Sequence, residues 1–196
     1  MAGRIVLLLA CLFLVPPVHA ELSDSKRALI QELFPSATVI EDKLPDFPVY
    51  PVYQLQELLG YAYETADHSR LQGFAGKPIS MLIGLDSKGR FTGIKVLNHH
   101  EPVFLHGLGE GPLFDFVDQY EGHSLQEQII VSTSNSSRSG RTSDGNVVHF
   151  DGVSKATVSV LIINDTVLSS ALKVARKKLE GFAQSAPIRA KPDFYQ

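Results

Sequence analysis

The segment Asp151-Gly152-Val153-Ser154-Lys155-Ala156-Thr157 places two hydroxyl side chains, a cation and a glycine just ahead of a long apolar-periodic stretch. At the start of a helix, such a segment can hold an anion. First-turn amides have no intrahelical acceptor, and the helix dipole favours negative charge beside them. Ser154 is a residue type that caps a helix, Thr157 brings a second hydroxyl into the same turn, and Lys155 adds positive charge. The same residues also describe an ordinary capped helix after a turn, so helix physics alone leaves both readings open. A second polar group, His99, His100, Glu101 and His106, holds metal-ligand types. Adjacent histidines on a strand point to opposite faces, which spaces His99 and His100 poorly for one ion, and no site metal is expected. No Gly-x-Ser-x-Gly elbow occurs, and Gly73 to Gly76 lacks the following helix of a phosphate loop.

The elements that must position these residues follow from periodicity. From Val158 onward, apolar residues recur at i, i+3, i+4, i+7 as far as Leu179, with Lys173, Arg176, Lys177 and Lys178 near the end and Gly181 as a stop. Val147 to Phe150 is a strand leading into the motif. Ser80 to Leu85 and Phe91 to Leu97 form the clearest hairpin, joined by Asp86-Ser87-Lys88-Gly89-Arg90. Tyr50 to Thr65 is strand-like, with Gly60 as a turn or bulge. Pro112 to Tyr120 is a short helix, and Ser23-Asp24 caps another whose apolar residues run to Phe34. Ser132 to Asn146 is a polar surface loop. Strands and helices do not alternate regularly, so the pattern predicts an α+β fold with a mainly antiparallel sheet packed with helices.

The chain has 196 residues, 44% hydrophobic and 20% charged, which excludes a disordered, a collagen-like and a polytopic membrane protein. A net charge of -3 provides no global field for nucleic acid. Residues Met1 to Ala20 read as a secretory leader: Arg4, an apolar run from Ile5 to Val15, and a small-residue site at Val18-His19-Ala20. Cys11 resembles the cysteine of a lipoprotein box, but the leader pattern fits cleavage after Ala20. The mature chain is then free of cysteine, which suits an oxidising compartment, and no later stretch is read as spanning a bilayer.

Asp151 to Thr157 resembles the flavinylation motif of the extracytoplasmic FMN-binding domains. These occur in the sodium-translocating NADH:quinone reductase, in the Rnf complex and in NosR. The likeness runs from about Gly60 to Phe182, through Gly73-Phe74-Ala75-Gly76-Lys77-Pro78-Ile79, Leu85 to Arg90 and Gly93 to Leu97. Asn98-His99-His100-Glu101-Pro102-Val103 and Asp151 to Leu168 are most similar to the NosR branch. The resemblance implies an FMN-binding domain fold and a covalent FMN. A flavin transferase with FAD as donor would join the phosphate to the hydroxyl of Thr157. Asp151, Ser154 and Ala156 match the motif, while Lys155 stands where most members have glycine. Glu101, with Gly107-Leu108-Gly109 downstream, and His100 would line the flavin. The implied role is periplasmic electron transfer that supports expression, maturation or reduction of nitrous oxide reductase. Its partners would be that enzyme and its maturation or electron-transfer proteins, with membrane association through regions beyond this chain. A reversible flavin- or phosphate-binding sensor of the same fold is the alternative. The expected organisation is a leader at 1–20, an N-terminal helix and lead-in at 21–59, the FMN-binding domain at 60–183 and a tail or linker at 184–196.

Overall fold

The computed structural model describes residues 22–132, 140–141 and 146–182. The leader and the C-terminal tail lie outside these residues, as does most of the polar segment after Ser132. Chain order is α1 (Asp24–Leu33), β1 (Val39–Ile40), β2 (Tyr50–Gln54), β3 (Glu57–Glu64), α2 (Thr65–His68), β4 (Ser80–Asp86) and β5 (Phe91–Asn98). A π-helical turn (Phe104–Leu108) follows, then α3 (Gly111–Asp118), β6 (Gln128–Ser132), β7 (Gly140–Arg141), β8 (Val147–Asp151) and α4 (Thr157–Lys178).

Strands β1 to β5 form an antiparallel sheet in sequence order. Period-two alternation decides what each face meets. On β4, Met81, Ile83 and Leu85 enter the main core with Phe116, Val160, Ile163 and Val167. Leu82 points the other way, into a smaller core with Ile30, Leu33 and Phe34 of the α1 region and Ala62 of β3. The sheet is therefore covered on both faces, by α1 behind and by α3 and α4 in front. Each fully buried Leu, Ile or Phe contributes roughly 1.5–3 kcal/mol through removal from water. The second sheet is ordered β6-β8-β7, with β6 and β8 parallel and β7 antiparallel to β8. The fold is α+β with a mainly antiparallel sheet, as the pattern predicts.

Some local expectations are refined. Of the two readings of Gly60, turn or bulge, the bulge holds: Gly60 lies inside β3 paired with Val52, and Leu59 is passed over where Tyr53 meets Leu58. The chain turns at Leu55, with φ 56°, and the register slips between Val52 and Tyr53. The stripe of α4 is buried as read at Val160, Ile163, Val167, Ala171, Val174 and Ala175, and Ser159, Thr166 and Ser170 go in with it, while Val158 is exposed. By length and composition α4 is able to cross a membrane, contrary to the sequence expectation, yet half of its apolar stretch is buried in this core.

Polar groups tie the lead-in to the sheet. Glu64 of β3 accepts from Lys26 of α1 at 2.7 Å, from Lys43 at 3.2 Å and from the Tyr50 hydroxyl at 3.1 Å. Burial pushes the Glu64 carboxyl up, but the Lys26 hydrogen bond and the charge of Lys43 hold it below its ordinary value. His68, at the end of α2, is buried between Phe47 and Tyr63, with ring centroids 4.8 and 5.3 Å away. Its Nε2 donates to the Pro48 carbonyl at 2.9 Å, and its Nδ1 is buried without a partner.

Burial lowers the imidazole pKa of His68; the Pro48 carbonyl opposes this and Lys173 adds to it. Below about pH 6.5 the unfolded chain then takes up a proton more readily than the folded one. The contribution of His68 is present above that pH and lost as pH falls further. Urea denaturation between about pH 7 and 5 is expected to show a shallower loss of stability in His68→Gln than in the unaltered chain. Equal slopes would show that the ring titrates alike in both states.

Candidate functional site

Strand β8 delivers the motif, and two contacts fix where it emerges. Gln119, just after α3, clamps the backbone of Asp151: its Nε2 donates to the Asp151 carbonyl at 3.0 Å, and its Oε1 accepts from the Asp151 amide at 2.7 Å. The Gly152 amide then donates to the Ser132 carbonyl of β6 at 2.9 Å. A Cβ on Gly152 would stand 2.5 Å from that carbonyl oxygen, so the approach to β6 needs glycine.

The next residues overturn one expectation. Ser154 is exposed and is not the cap of α4; Ala156 holds that position, and no side chain caps the helix. The reason is local. Lys155 adopts the left-handed region, with φ 69°, and the Ala156 amide bonds back to the Val153 carbonyl at 3.0 Å. This turn carries Ser154 away and delays the helix until Thr157. The start of a 22-residue helix is thus left with uncapped amides and no acidic residue in its first turn. Thr157 is half-buried, Lys155 is exposed, and neither side chain has a bonded partner among the described residues.

A second segment meets this helix start. Beyond β5, His99 is buried; its Nδ1 accepts from the Glu101 amide at 3.3 Å, which leaves the ring proton on Nε2 to donate to Glu110 at 2.9 Å. Glu101 is fully buried. Its Oε2 accepts a hydrogen bond from the Ser159 hydroxyl of α4, and its Oε1 takes a long bond, 3.5 Å, from the Ala75 amide. The carboxylate occupies the space that a side chain on Gly73 would need, since a Cβ there would lie 2.1 Å from Oε1. Its carbonyl accepts from the Phe104 and Leu105 amides, both at 3.1 Å. Glu101 therefore joins the loop 73–77, the π-helical turn and the first turn of α4.

Of the residues singled out from the sequence, Ser154, Lys155, Ala156 and Thr157 form the turn and helix start, and Glu101 is brought against that helix. Asp151 stands at the end of β8 behind Gly152. His100 is half-buried, and its Nδ1 is shut from water with no partner. Among the described residues no three His, Cys, Asp or Glu side chains gather for a metal, and His99 is committed to Glu110. Loop 73–77 closes through Gly73 N to Lys77 O at 2.7 Å and leads into strand β4 rather than a helix. Ser159 and Gln119 are the participants that sequence reasoning missed. A serine on the core side of an apolar stripe was the available signal for Ser159; Gln119 had none. The cavity between Phe47, Lys173 and Arg176 lies toward the other end of α4, roughly 25 Å from Thr157 at the helical rise, and is separate from this site.

Residues 73–171 match the FMN-binding domain family. The chain is 35% identical over 156 residues to the regulatory protein NosR of Pseudomonas aeruginosa, covering 80% of this chain and 21% of that protein. It is 28% identical over 172 residues to the protein NirI of Paracoccus denitrificans, covering 86% of this chain and 23% of the relative. The G-type component of the ion-translocating oxidoreductase complex of Stutzerimonas stutzeri is 29% identical over 122 residues, covering 55% of this chain and 51% of that component. The chain thus spans about a fifth of the length of NosR and NirI.

The left-handed turn gives the first test of this geometry. A side chain there costs about 1–2 kcal/mol, offset in part by the extra freedom glycine gains when unfolded. Lys155→Gly is expected to stabilise the fold by roughly 0.5–1 kcal/mol, while Lys155→Ala, which keeps the Cβ, gains nothing. Denaturant titration of the three proteins checks this.

Proposed function

The chain belongs to the FMN-binding domain family, and from that premise we propose that it is a flavoprotein whose FMN is joined through its phosphate to the Thr157 hydroxyl. The observation that carries the reading is the start of α4: uncapped, free of acidic residues, with Thr157 as its first residue, inside the matched region. The groups present fit such a ligand. First-turn amides and Lys155 suit the phosphate, the unbonded Thr157 hydroxyl suits ester formation, and the partnerless Nδ1 of His100 leaves a polar atom for the ring system or its chain.

In the proposed attachment the Thr157 Oγ1 bonds to the FMN-side phosphorus of FAD, AMP leaves, and the hydroxyl proton goes to solvent or to the flavin transferase. The amides of Val158 and Ser159 would hold the diester oxygens, and Lys155 would balance the remaining negative charge. Glu101 keeps loop 73–77 and α4 in register, and Gln119 and Gly152 fix the strand that feeds the turn. Bound FMN would supply one- and two-electron chemistry, while the protein supplies attachment, orientation and shielding from water. We further assign the domain to the periplasm, on the leader pattern of residues 1–20, and to electron transfer toward nitrous oxide reductase or its maturation proteins. Similarity to a regulatory protein NosR supports that partner.

Intact mass of the exported chain, denatured first, tests the linkage. Co-expression with a flavin transferase is expected to add one FMN less water, on the peptide containing Thr157. Thr157→Val is expected to lose the addition completely and stay folded, and Thr157→Ser to retain it. An unmodified mass beside flavin released on denaturation would favour a reversible binding module instead. An addition that persists in Thr157→Val would overturn the assignment.

A further inference from the structure

We propose that Phe74 stacks on the isoalloxazine ring of the FMN held at Thr157, an inference that rests on the attachment just described. Five aromatic residues, Tyr61, Tyr63, Phe74, Phe91 and Phe104, fall on the strands and loops between Gly60 and Leu105. Tyr63, Phe91 and Phe104 are fully buried, and Tyr61 packs partly buried against the main core. Phe74 alone of these stands out in solvent, 67% exposed.

A single exposed phenylalanine is ordinary. This one is presented by a braced loop. Gly73 N bonds to Lys77 O at 2.7 Å, Gly76 N to Gly73 O at 3.0 Å, and the Ala75 amide reaches Glu101. The same carboxylate takes the Ser159 hydroxyl, two residues beyond Thr157. Phe74 is thus connected to the turn that bears the acceptor hydroxyl through one buried side chain. Two other exposed apolar side chains belong to the same node: Leu105, whose amide bonds to Glu101, and Val158, next to Thr157, at 46% and 54% exposure.

The two kinds of surface match the two ends of one ligand. Uncapped amides and Lys155 suit an anionic phosphate, and a flat aromatic face with aliphatic neighbours suits a planar heteroaromatic ring. A flexible ribityl chain lets one end be fixed by an ester while the other settles on the apolar surface. Stacking removes the Phe74 ring from water and adds an aromatic pair contact. Phe74 is accordingly a positioning residue for the flavin, acting on its exposure and potential rather than on its attachment.

The chain contains no tryptophan, so an indole introduced at position 74 is its single tryptophan, a strong electron-transfer quencher of flavin emission. The flavinylated full chain would be compared with Phe74→Trp, Phe74→Ala and a remote control, Leu55→Trp, in the exposed turn after β2. Intact mass first establishes that each carries FMN. The expected result is a several-fold loss of flavin emission in Phe74→Trp, little change in Leu55→Trp, and easier quenching by iodide in Phe74→Ala. Attached FMN whose emission is the same in Phe74→Trp and the unaltered chain, with iodide access unchanged in Phe74→Ala, would overturn the stacking alone and leave Phe74 as docking surface for another protein. A chain that carries no FMN mass in any form would overturn the attachment and the stacking together.

Discussion

Everything near the candidate site hangs on the buried carboxylate of Glu101. A carboxylate with no exposure is tolerated only where donors turn toward it. Here they come from Ala75 and Ser159, 26 and 58 positions away in the chain. Meeting that demand fixes the geometry around it. Gly73 has no side chain because the carboxylate fills its space, and α4 enters with Ser159 inward, which turns Val158 outward. His99 secures the backbone of Glu101 from one side and is itself held by Glu110. One side chain thus converts three separate segments into a single rigid rim.

Against that rigidity, the helix start beside it is left unfinished. A missing N-cap forgoes about 0.5–2 kcal/mol, and a side chain in the left-handed region costs a comparable amount. Both occur within three residues, at Lys155 and Ala156. Local strain of this kind persists only where the surroundings over-determine it. The clamp of Gln119 on Asp151 and the contact of Gly152 with β6 supply that restraint from one side, and the packed stripe of α4 supplies it from the other. A bound anion would satisfy the amides that the protein itself leaves open.

Much of the fold was legible because it is local. The β4–β5 hairpin declares itself through two β-rich runs around Asp86 to Arg90, and the Asp86 carboxylate closes it by accepting from the Lys88 and Arg90 amides, both at 2.8 Å. The long stripe ending in basic residues gave α4. What escaped was set by long-range packing. Ser154 has the chemistry of a cap, but the positive φ of Lys155 cannot be read from a lysine. The burial of Ser159 on the core side of α4 follows from its bond to Glu101. The parallel pairing of β6 with β8 has no signature in either strand alone. The motif's residue types were visible; the partner of Ser159 and the bracing of loop 73–77 were not.

The matched stretch begins at Gly73 and ends at Ala171, and it contains every residue that bonds to Glu101, to the Asp151 backbone or to Gly152. Residues 22–54 supply α1, β1 and β2, and among the described residues none of them supplies those hydrogen bonds. Their work is physical: Leu33 and Phe34 cover Ala62 and Leu82, and the cations of Lys26 and Lys43 hold Glu64. With its rear face uncovered, the sheet would present those apolar residues to water. On the side of the site, Phe74, Leu105 and Val158 stay exposed, where a planar ring could use them. The open first-turn amides of α4 lie where a ligand would satisfy them.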